Sequence, residues 1–560
     1  MAQETERERL EKLYSWLDVE RGTFLSHWRD LADHTLPRRL RLSTSDVNRG
    51  DKRNTKIVDS TATLAVRTLK SGMMAGITSP ARPWMRLVTP DPDLNERRDV
   101  RDWLHLITQR MHTIFLRSNL YNALPTLYGD QGVFGTGAMA ALDDVHDVAR
   151  FQSIPVGSYL MAINDRGIID TFIRDIPMTV RQVVRQFVNM KTPESKRWDN
   201  VSLTVRNLYD TGNLDAQVWV AQAITSNDDY NSTLIGQGRK KYRSVYYERT
   251  SDDHDRLLKV SGYDDFPILV PRWDVAAGDV YGTACPGMDA LGDIKALQLM
   301  QRRKAEAVEK MVRPPMVGPS SLRTAKASIL PGDITFIDVR EGQQKFQPLY
   351  EVNPRVAELV GDIKEHQARI SRTFYEDLFL MLSQSDRREI TAREVDERHE
   401  EKLLMLGPTL ERENDELLDP LISRVFNIME RRGMVPPAPE VLQEQTIKVE
   451  YISIMAQAQK MVAMSGLERF ASFVGNMAQA MPTALDKIDS DNMVDEYAEM
   501  TGVSPRILRT DEQAADFRQK RDQAAQEKAQ AENQALAAQA QRDQSQAQMN
   551  GANLQQQMGL

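Results

Sequence analysis

At 560 residues, 41% of them apolar and 27% charged, the chain has the composition of a globular protein with room for about three or four domains and at least one substantial core. A formal net charge of −8 argues against a nucleic-acid coat, which needs an excess of Lys and Arg, but leaves room for a protein that surrounds DNA without gripping it. Cys285 is the one cysteine, which excludes an intrachain disulfide and any Cys-rich zinc or iron–sulfur site from one protomer and fits a reducing compartment.

The charged start, Met1 to Glu11, is not a secretory signal. No window reaches the length of apolar residues that a membrane span requires, so a soluble protein without membrane attachment is expected. A helix is predicted from Glu4 to Ala32, with Leu10, Leu13, Leu17, Phe24, Trp28 and Leu31 on one stripe. Pro37 ends it, and a basic segment from Arg38 to Lys56 follows. A second helix, Ser60 to Ile77, carries Gly72 and Gly76 four apart, a spacing that permits close helix contact. Ser79-Pro80 and Arg82-Pro83 turn the chain into a strand-like Trp84–Val88. Helices over Asn95–Asn119 and Leu120–Gly132 come next.

From Met139 to about Asp274 the pattern shifts to strands: Phe151–Ile154, Ile168–Ile173, Ser202–Tyr209, Ala216–Ala223 and Tyr242–Arg249, interrupted by one helix, Val180–Val188. Short connections favour antiparallel pairing. Two long helical patterns, Gly287–Val312 and Pro354–Leu382, then flank a Pro-, Gly- and β-branched-rich segment. Pro314-Pro315 stops the first, and Asn353 and Pro354 start the second as cap and first helical residue. A polar loop, Ser383–Glu389, leads to a third pattern from Thr391 to Gly433, with a capping box at Thr391 and Glu394 and a bend at Gly407-Pro408. A helix of some forty residues spans roughly 60 Å, more than a domain core requires. Pro436, Pro437 and Pro439 mark a joint, followed by helices over Ser453–Met481 and Met493–Thr501. From Gln513 onward the chain is rich in Gln and Ala with little to bury; disorder and an assembly-dependent helical bundle both stay open.

Chemical motifs are weak. Gly129, Gly132, Gly135 and Gly137 lack the Gly-Lys-Ser/Thr of a P-loop and follow a helix rather than a strand, so close backbone packing beside Phe134 is the preferred account. Asp143, Asp144, His146 and Asp147 lack calcium-loop spacing. No serine sits in a nucleophile elbow, and Cys285 has no base nearby in sequence, so neither an enzyme nor a cofactor is expected. Two basic groups carry more weight: Arg302, Arg303 and Lys304 in the first long helix, and Asp386, Arg387 and Arg388 in the polar loop. In a single chain they are solvated faces. In a ring each becomes a belt of positive charge that touches phosphates without reading bases.

Asp59-Ser60-Thr61, Leu69-x-x-Gly72, Ile77-Thr78-Ser79-Pro80, Trp84-Met85-Arg86-Leu87 and Phe134-Gly135-Thr136-Gly137, with the order of elements from Gly287 to Arg432, resemble the bacteriophage portal proteins, the head-to-tail connector family of T7-like short-tailed phages. The likeness covers about residues 5 to 500. It implies a mainly helical α+β portal fold: a wing over 1–284, a first stem helix over 285–315, a clip over 316–352, a second stem helix over 353–382, a channel loop over 383–390, a long wing helix over 391–433, a crown over 434–505, and a helical C-terminal extension over 506–560. It also implies a homo-oligomeric ring, typically dodecameric, at a capsid vertex of the virion, assembled in the host cytoplasm. The implied partners are double-stranded DNA bound without sequence specificity, the terminase large subunit, head-completion or tail adaptor proteins, and major capsid and scaffold proteins. The implied work is genome packaging, DNA retention and ejection, with Asp386, Arg387 and Arg388 near DNA. The alternatives are a capsid or scaffold subunit and a DNA-processing enzyme with a dispersed site.

Overall fold

The computed structural model describes residues 5–42, 50–91, 94–95, 97–190, 196–231, 233, 237–249, 256–317, 347–348, 356–384, 406–442, 447–452, 470–477, 481, 489–501 and 511–557. The chain divides into two units, one of residues 1–90 and 102–456, the other of residues 91–101 and 457–560. The elements begin with α1 (Glu6–Gly22), α2 (Leu25–His34), α3 (Thr61–Ile77), β1 (Met85–Val88), α4 (Arg98–Arg117) and α5 (Leu120–Phe134). There follow β2 (Ala138–Asp144), β3 (Val148–Ile154), β4 (Tyr159–Ile163), β5 (Ile169–Thr179), α6 (Val180–Phe187), α7 (Leu203–Asp210), β6 (Gln217–Ser226), β7 (Tyr242–Glu248), β8 (Lys259–Tyr263) and β9 (Ile268–Leu269). Next come α8 (Pro286–Val312), α9 (Val356–Thr373), α10 (Glu376–Gln384), a π-helical turn (Asn414–Leu418), α11 (Asp419–Arg431) and β10 (Lys448–Tyr451). The last elements are α12 (Ser490–Thr501) and α13 (Asp511–Gln557).

In the first unit, a five-stranded antiparallel sheet runs β8-β7-β6-β5-β4. Alternation along β6 explains how both of its faces are used. Val218 and Val220 pack with Val180, Val184 and Phe187 of α6 and Val205 of α7. Ala221 and Ala223 take Leu10, Tyr14 and Leu17 of α1 from the other side. α1 is fixed further by polar bonds: buried Arg7 donates to the Glu248 carbonyl at 2.8 Å, and the Tyr14 hydroxyl donates to Asp175 at 2.9 Å. A smaller antiparallel sheet, β9-β2-β3, sits beside α5 and α11. The antiparallel mixed domain expected over 139–274 is therefore present.

The Gly-rich run is a backbone crossing. Gly135 ends α5 in the left-handed region, φ +77°, where a side chain is strained. A Cβ on Gly282 would lie 2.1 Å from the Gly135 carbonyl oxygen, while Thr136 accepts from the Gly282 amide at 2.8 Å. The Cys285 thiol donates to the Val133 carbonyl at 3.2 Å. Close packing thus accounts for Phe134-Gly135-Thr136-Gly137. Asp144, for its part, accepts the backbone amides of His146 and Asp147, the ordinary work of an aspartate in a tight turn.

Three expected elements differ. The opening helix is two helices, parted at Thr23–Phe24, where Gly22 weakens the helix and Phe24 stacks on Trp28 and Tyr281 with centroids 5.4 and 5.2 Å apart. Ser202–Tyr209 is not a strand: Ser202 caps α7 by accepting from the Val205 amide, and Val205, Leu208 and Tyr209 have helical spacing. The pattern Pro354–Leu382 is broken into α9 and α10 at Tyr375, which lies at φ +56°. Residues 406–413 are helical through Pro408, and a π-turn follows at Asn414–Leu418; the preceding turn, against which Gly407-Pro408 is expected to bend or break the helix, lies outside the described residues. The boxed start at Thr391 and Glu394 lies outside the described residues. After Pro439 the chain stays in the first unit, where β10 pairs with β1 from Met85↔Tyr451 to Val88↔Lys448.

In the second unit, residues 470–477 are helical, and α12 is joined to α13 by a bidentate Arg518–Asp491 pair, one bond of which is 2.5 Å. The tail is a helix of 47 residues, and most of its described side chains are exposed. Among the described residues no helix is long and apolar enough to cross a membrane.

Two glycines of α8 give opposite expectations. A Cβ at Gly287 would sit 2.5 Å from the Val133 carbonyl oxygen, so Gly287→Ala should cost about 2–3 kcal/mol by forcing the helix off α5. Gly292 has nothing within 4 Å, so Gly292→Ala should gain about 0.5–1 kcal/mol. Denaturant unfolding of the two variants beside the parent checks both signs.

Candidate functional site

α8 starts as its sequence dictates. Cys285 is extended and Pro286 occupies the first turn, where a missing amide hydrogen costs nothing. Gly287, Ala290, Ile294, Leu297 and Gln298 are buried, all in its first half. Beyond Gln301 the helix outruns its core: Val308, Met311 and Val312 are exposed, Val312 at 73%. An open groove of about 480 Å³ on this half is lined by Lys304, Val308, Glu309 and Val312 among others. At 27 residues α8 is about 40 Å long.

α9 packs along α8. Asp293 of α8 accepts from His366 at 2.8 Å and pairs with Arg369 at 3.1 Å, both from α9. Asp59 joins these two helices to α3. One of its carboxylate oxygens accepts from the Thr61 amide at 2.8 Å and the Thr61 hydroxyl at 2.5 Å, tying it to the first residue of α3. The other accepts from Gln301 of α8 and Gln367 of α9, each at 2.9 Å. Gln298 completes the knot: its carbonyl accepts the Val58 and Asp59 amides, and its NH2 donates to the Asp59 carbonyl. Burial works against the Asp59 charge, but the Thr61, Gln301 and Gln367 bonds outweigh it, and the carboxyl lies below the usual carboxylate range.

α3 is the seat for all of this. A Cβ at Gly72 would meet the Phe379 ring of α10 at 2.1 Å, and one at Gly132 of α5 would meet Leu69 at 2.3 Å. Leu69-x-x-Gly72 thus provides a ridge for α5 and a socket for α10. The long helix is anchored by buried charge. Arg272 donates to Glu416 of the π-turn at 2.6 Å and to the Gly167 carbonyl at 3.0 Å, while its amide donates to the other Glu416 oxygen at 2.8 Å. Arg424, 1% exposed, donates to the Ala141 carbonyl at 2.9 Å. Arg39 grips fully buried Asp130 in a bidentate pair and also donates to Ser153 at 3.0 Å.

Of the basic groups marked in the sequence, Arg302 and Arg303 are exposed and Lys304 is half-buried, on the half of α8 that leaves the core. Successive helical residues point about 100° apart, so the three do not share one face. Asp386, Arg387 and Arg388 lie outside the described residues, as does most of 316–352; of that segment Met316–Val317 is seen paired antiparallel with Gln347–Pro348. Among the described residues no group of three or more His, Cys, Asp or Glu side chains is placed to hold a metal. Sequence reasoning missed Asp59, Gln298, Gln301 and Gln367 as one cluster. The signal available was two glutamines three apart on the buried side of a stem helix, with a third on the partner helix.

A helix that outlasts its core, a second helix bound along it, a two-residue β ladder following the first and a π-interrupted helix over 406–431 held by buried charge suit a head-to-tail connector. The profile of the family described as bacteriophage head to tail connecting protein matches residues 7–508, and the chain belongs to that family. It is 49% identical over 523 residues to the portal protein of Salmonella phage epsilon15, covering 93% of this chain and 92% of that one. It is 40% identical over 532 residues to the probable portal protein of Bordetella phage BPP-1, covering 94% of each. A solved chain described as the neck of an empty GTA particle aligns over 80% of this chain and 90% of its own at 11% identity and a TM-score of 0.31, a likeness that carries no argument.

Asp59→Ala should lower stability by about 2 kcal/mol through loss of the four hydrogen bonds its carboxylate accepts. Because its folded pKa is depressed, this contribution is present above the unfolded value near 3.8 and lost as pH falls through the folded one. Thermal unfolding of parent and Asp59→Asn should therefore converge in acid. Glu416→Ala strands Arg272 without its carboxylate and should cost about 3–5 kcal/mol, read by denaturant unfolding.

Proposed function

We propose that copies of this portal protein, typically twelve, close into a ring at one capsid vertex and that double-stranded DNA passes through its centre. The observation that carries this reading is the distal half of α8, where apolar Val308, Met311 and Val312 and basic Arg302 and Arg303 are all exposed on a helix that has left its own core. Neighbouring copies supply the missing cover, and cyclic symmetry closes one heterologous interface into a ring. The two-residue ladder at 316–317 and 347–348 is too short to be stable alone, and strand edges from adjacent subunits complete it.

In this scheme α8 and the α9–α10 pair form the stem and 316–352 the clip, which docks the terminase large subunit during packaging and tail adaptors afterwards. Residues 383–390 are the channel loop, 391–433 the long wing helix, and the chain after the Pro439 joint the crown, with α13 gathered into a helical barrel. Capsid and scaffold proteins hold the wing while the ring assembles in the host cytoplasm. Catalysis is not this chain's work: ATP hydrolysis belongs to the terminase. Its task is passage and retention. A mildly acidic chain lets DNA slide, since few phosphates are neutralised, and Arg387 and Arg388 of the loop brake slippage by contact with phosphates.

Replacing both Arg387 and Arg388 with Ala should leave ring assembly and packaging initiation intact while filled heads lose DNA faster, and with those phosphate contacts gone the loss should depend less on salt than the parent's does. Unchanged retention in filled heads, measured as protected genome over time, would remove the brake from the scheme. Normal DNA-filled heads formed without this chain would remove the portal role itself.

A further inference from the structure

Glu413 is fully buried at the end of the helical stretch 406–413, one residue before the π-turn, and both of its carboxylate oxygens lack hydrogen-bond partners. Gln131 of α5, also fully buried, faces it and favours its charge, yet neither amide atom of Gln131 reaches bonding geometry. The other titratable groups facing it are Tyr128 of α5, whose hydroxyl is shared with Thr78 at 3.0 Å, and Glu416 of the π-turn. Glu416 is already matched by Arg272, from the segment after β9, and by Arg412 on its own helix. So among the described residues no cation is left to balance a charge on Glu413. A buried carboxylate without partner or counter-ion is not tolerated in such a place, whereas the protonated acid is neutral and supplies one donor for the Gln131 carbonyl.

The π-turn gives this group something to move. A π-turn is an α-helix holding one additional residue in a turn, and it needs tertiary packing to persist. Here Leu417 and Leu418 are buried and Glu416 is clamped, so the downstream side is fixed. Relaxing the turn to α geometry would rotate the upstream side by about 100°, one residue's worth, and swing Glu413 away from α5. We propose that Glu413 is a proton-operated latch: with its proton it seats the long helix on α5 through Gln131, and on losing the proton to solvent it leaves the pocket as the π-turn relaxes. The latch would thereby set the rotation of the helical stretch 406–413 about its own axis.

Burial pushes the Glu413 carboxyl up from 4.5 to about 8, with Glu416 adding to the rise and Gln131 opposing it. A raised folded pKa means the seated form is favoured most below the unfolded value and loses that advantage as pH climbs through about 8. Hydrogen exchange of peptides spanning 406–431 in the full-length protein, corrected for intrinsic rates, tests the latch at pH 6 and pH 9. In the parent the open fraction should rise on the order of a hundredfold between the two. In Glu413→Gln it should stay within about twofold, with protection at pH 6 like the parent's, while Glu413→Asp should keep the rise. Parallel pH dependence in the parent and Glu413→Gln, or failure of Glu413→Gln to fold at pH 6, would overturn the proposal, because a neutral isostere must be able to hold the latched state.

Discussion

The carboxylate of Asp59 touches the start of α3, α8 and α9 at the same time. α8 is buried only over its first half, so its direction is fixed there or nowhere. Ordinary apolar packing would let the two helices slide, since dispersion is not directional. Four bonds to one carboxylate do not, and the Gln298 side chain closes the backbone around that carboxylate. The α8–α9 pair therefore inherits its direction from α3, which is itself held by Leu69 against α5 and by Gly72 beneath Phe379.

Around this knot the fold uses buried arginines where apolar contact would have sufficed for stability. Arg272–Glu416, Arg39–Asp130 and Arg424 each tie elements more than ninety residues apart. Such pairs add little net stability, because desolvation offsets most of the attraction, but they penalise any arrangement that leaves one member alone. For a subunit that must present the same surface to each neighbour, one defined geometry matters more than a few extra kcal/mol. This also explains why the elements tied by these arginines look over-determined while the distal half of α8 is bare.

The sequence exposed most of this frame. The period of α8 and its Pro314 stop, the antiparallel strands over 139–274 and the close-packing role of Gly72 and Gly135 were all legible, because each rests on local chemistry. The breaks were not. Tyr375 adopts φ +56° because Phe374 is buried, Phe379 is drawn onto Gly72 and Tyr375 lies against Trp273, contacts no local pattern contains. Ser202–Tyr209 reads as alternating until Ser202 is seen to cap and to donate to Glu248 at 2.6 Å. The Asp59 cluster was invisible for a simpler reason: its glutamine partners lie 242 and 308 residues away. The motif Asp59-Ser60-Thr61 carried the family likeness, but its meaning needed coordinates.

The central claim is that the uncovered half of α8 becomes the wall of a passage once copies of the chain close around it. Electron cryo-microscopy of the purified full-length protein tests that directly. The account predicts closed rings, about twelve subunits each, with α8 and α9 bordering an open axial passage wide enough for duplex DNA. Monomers or open arrays, or rings in which α8 points away from the passage, would contradict it.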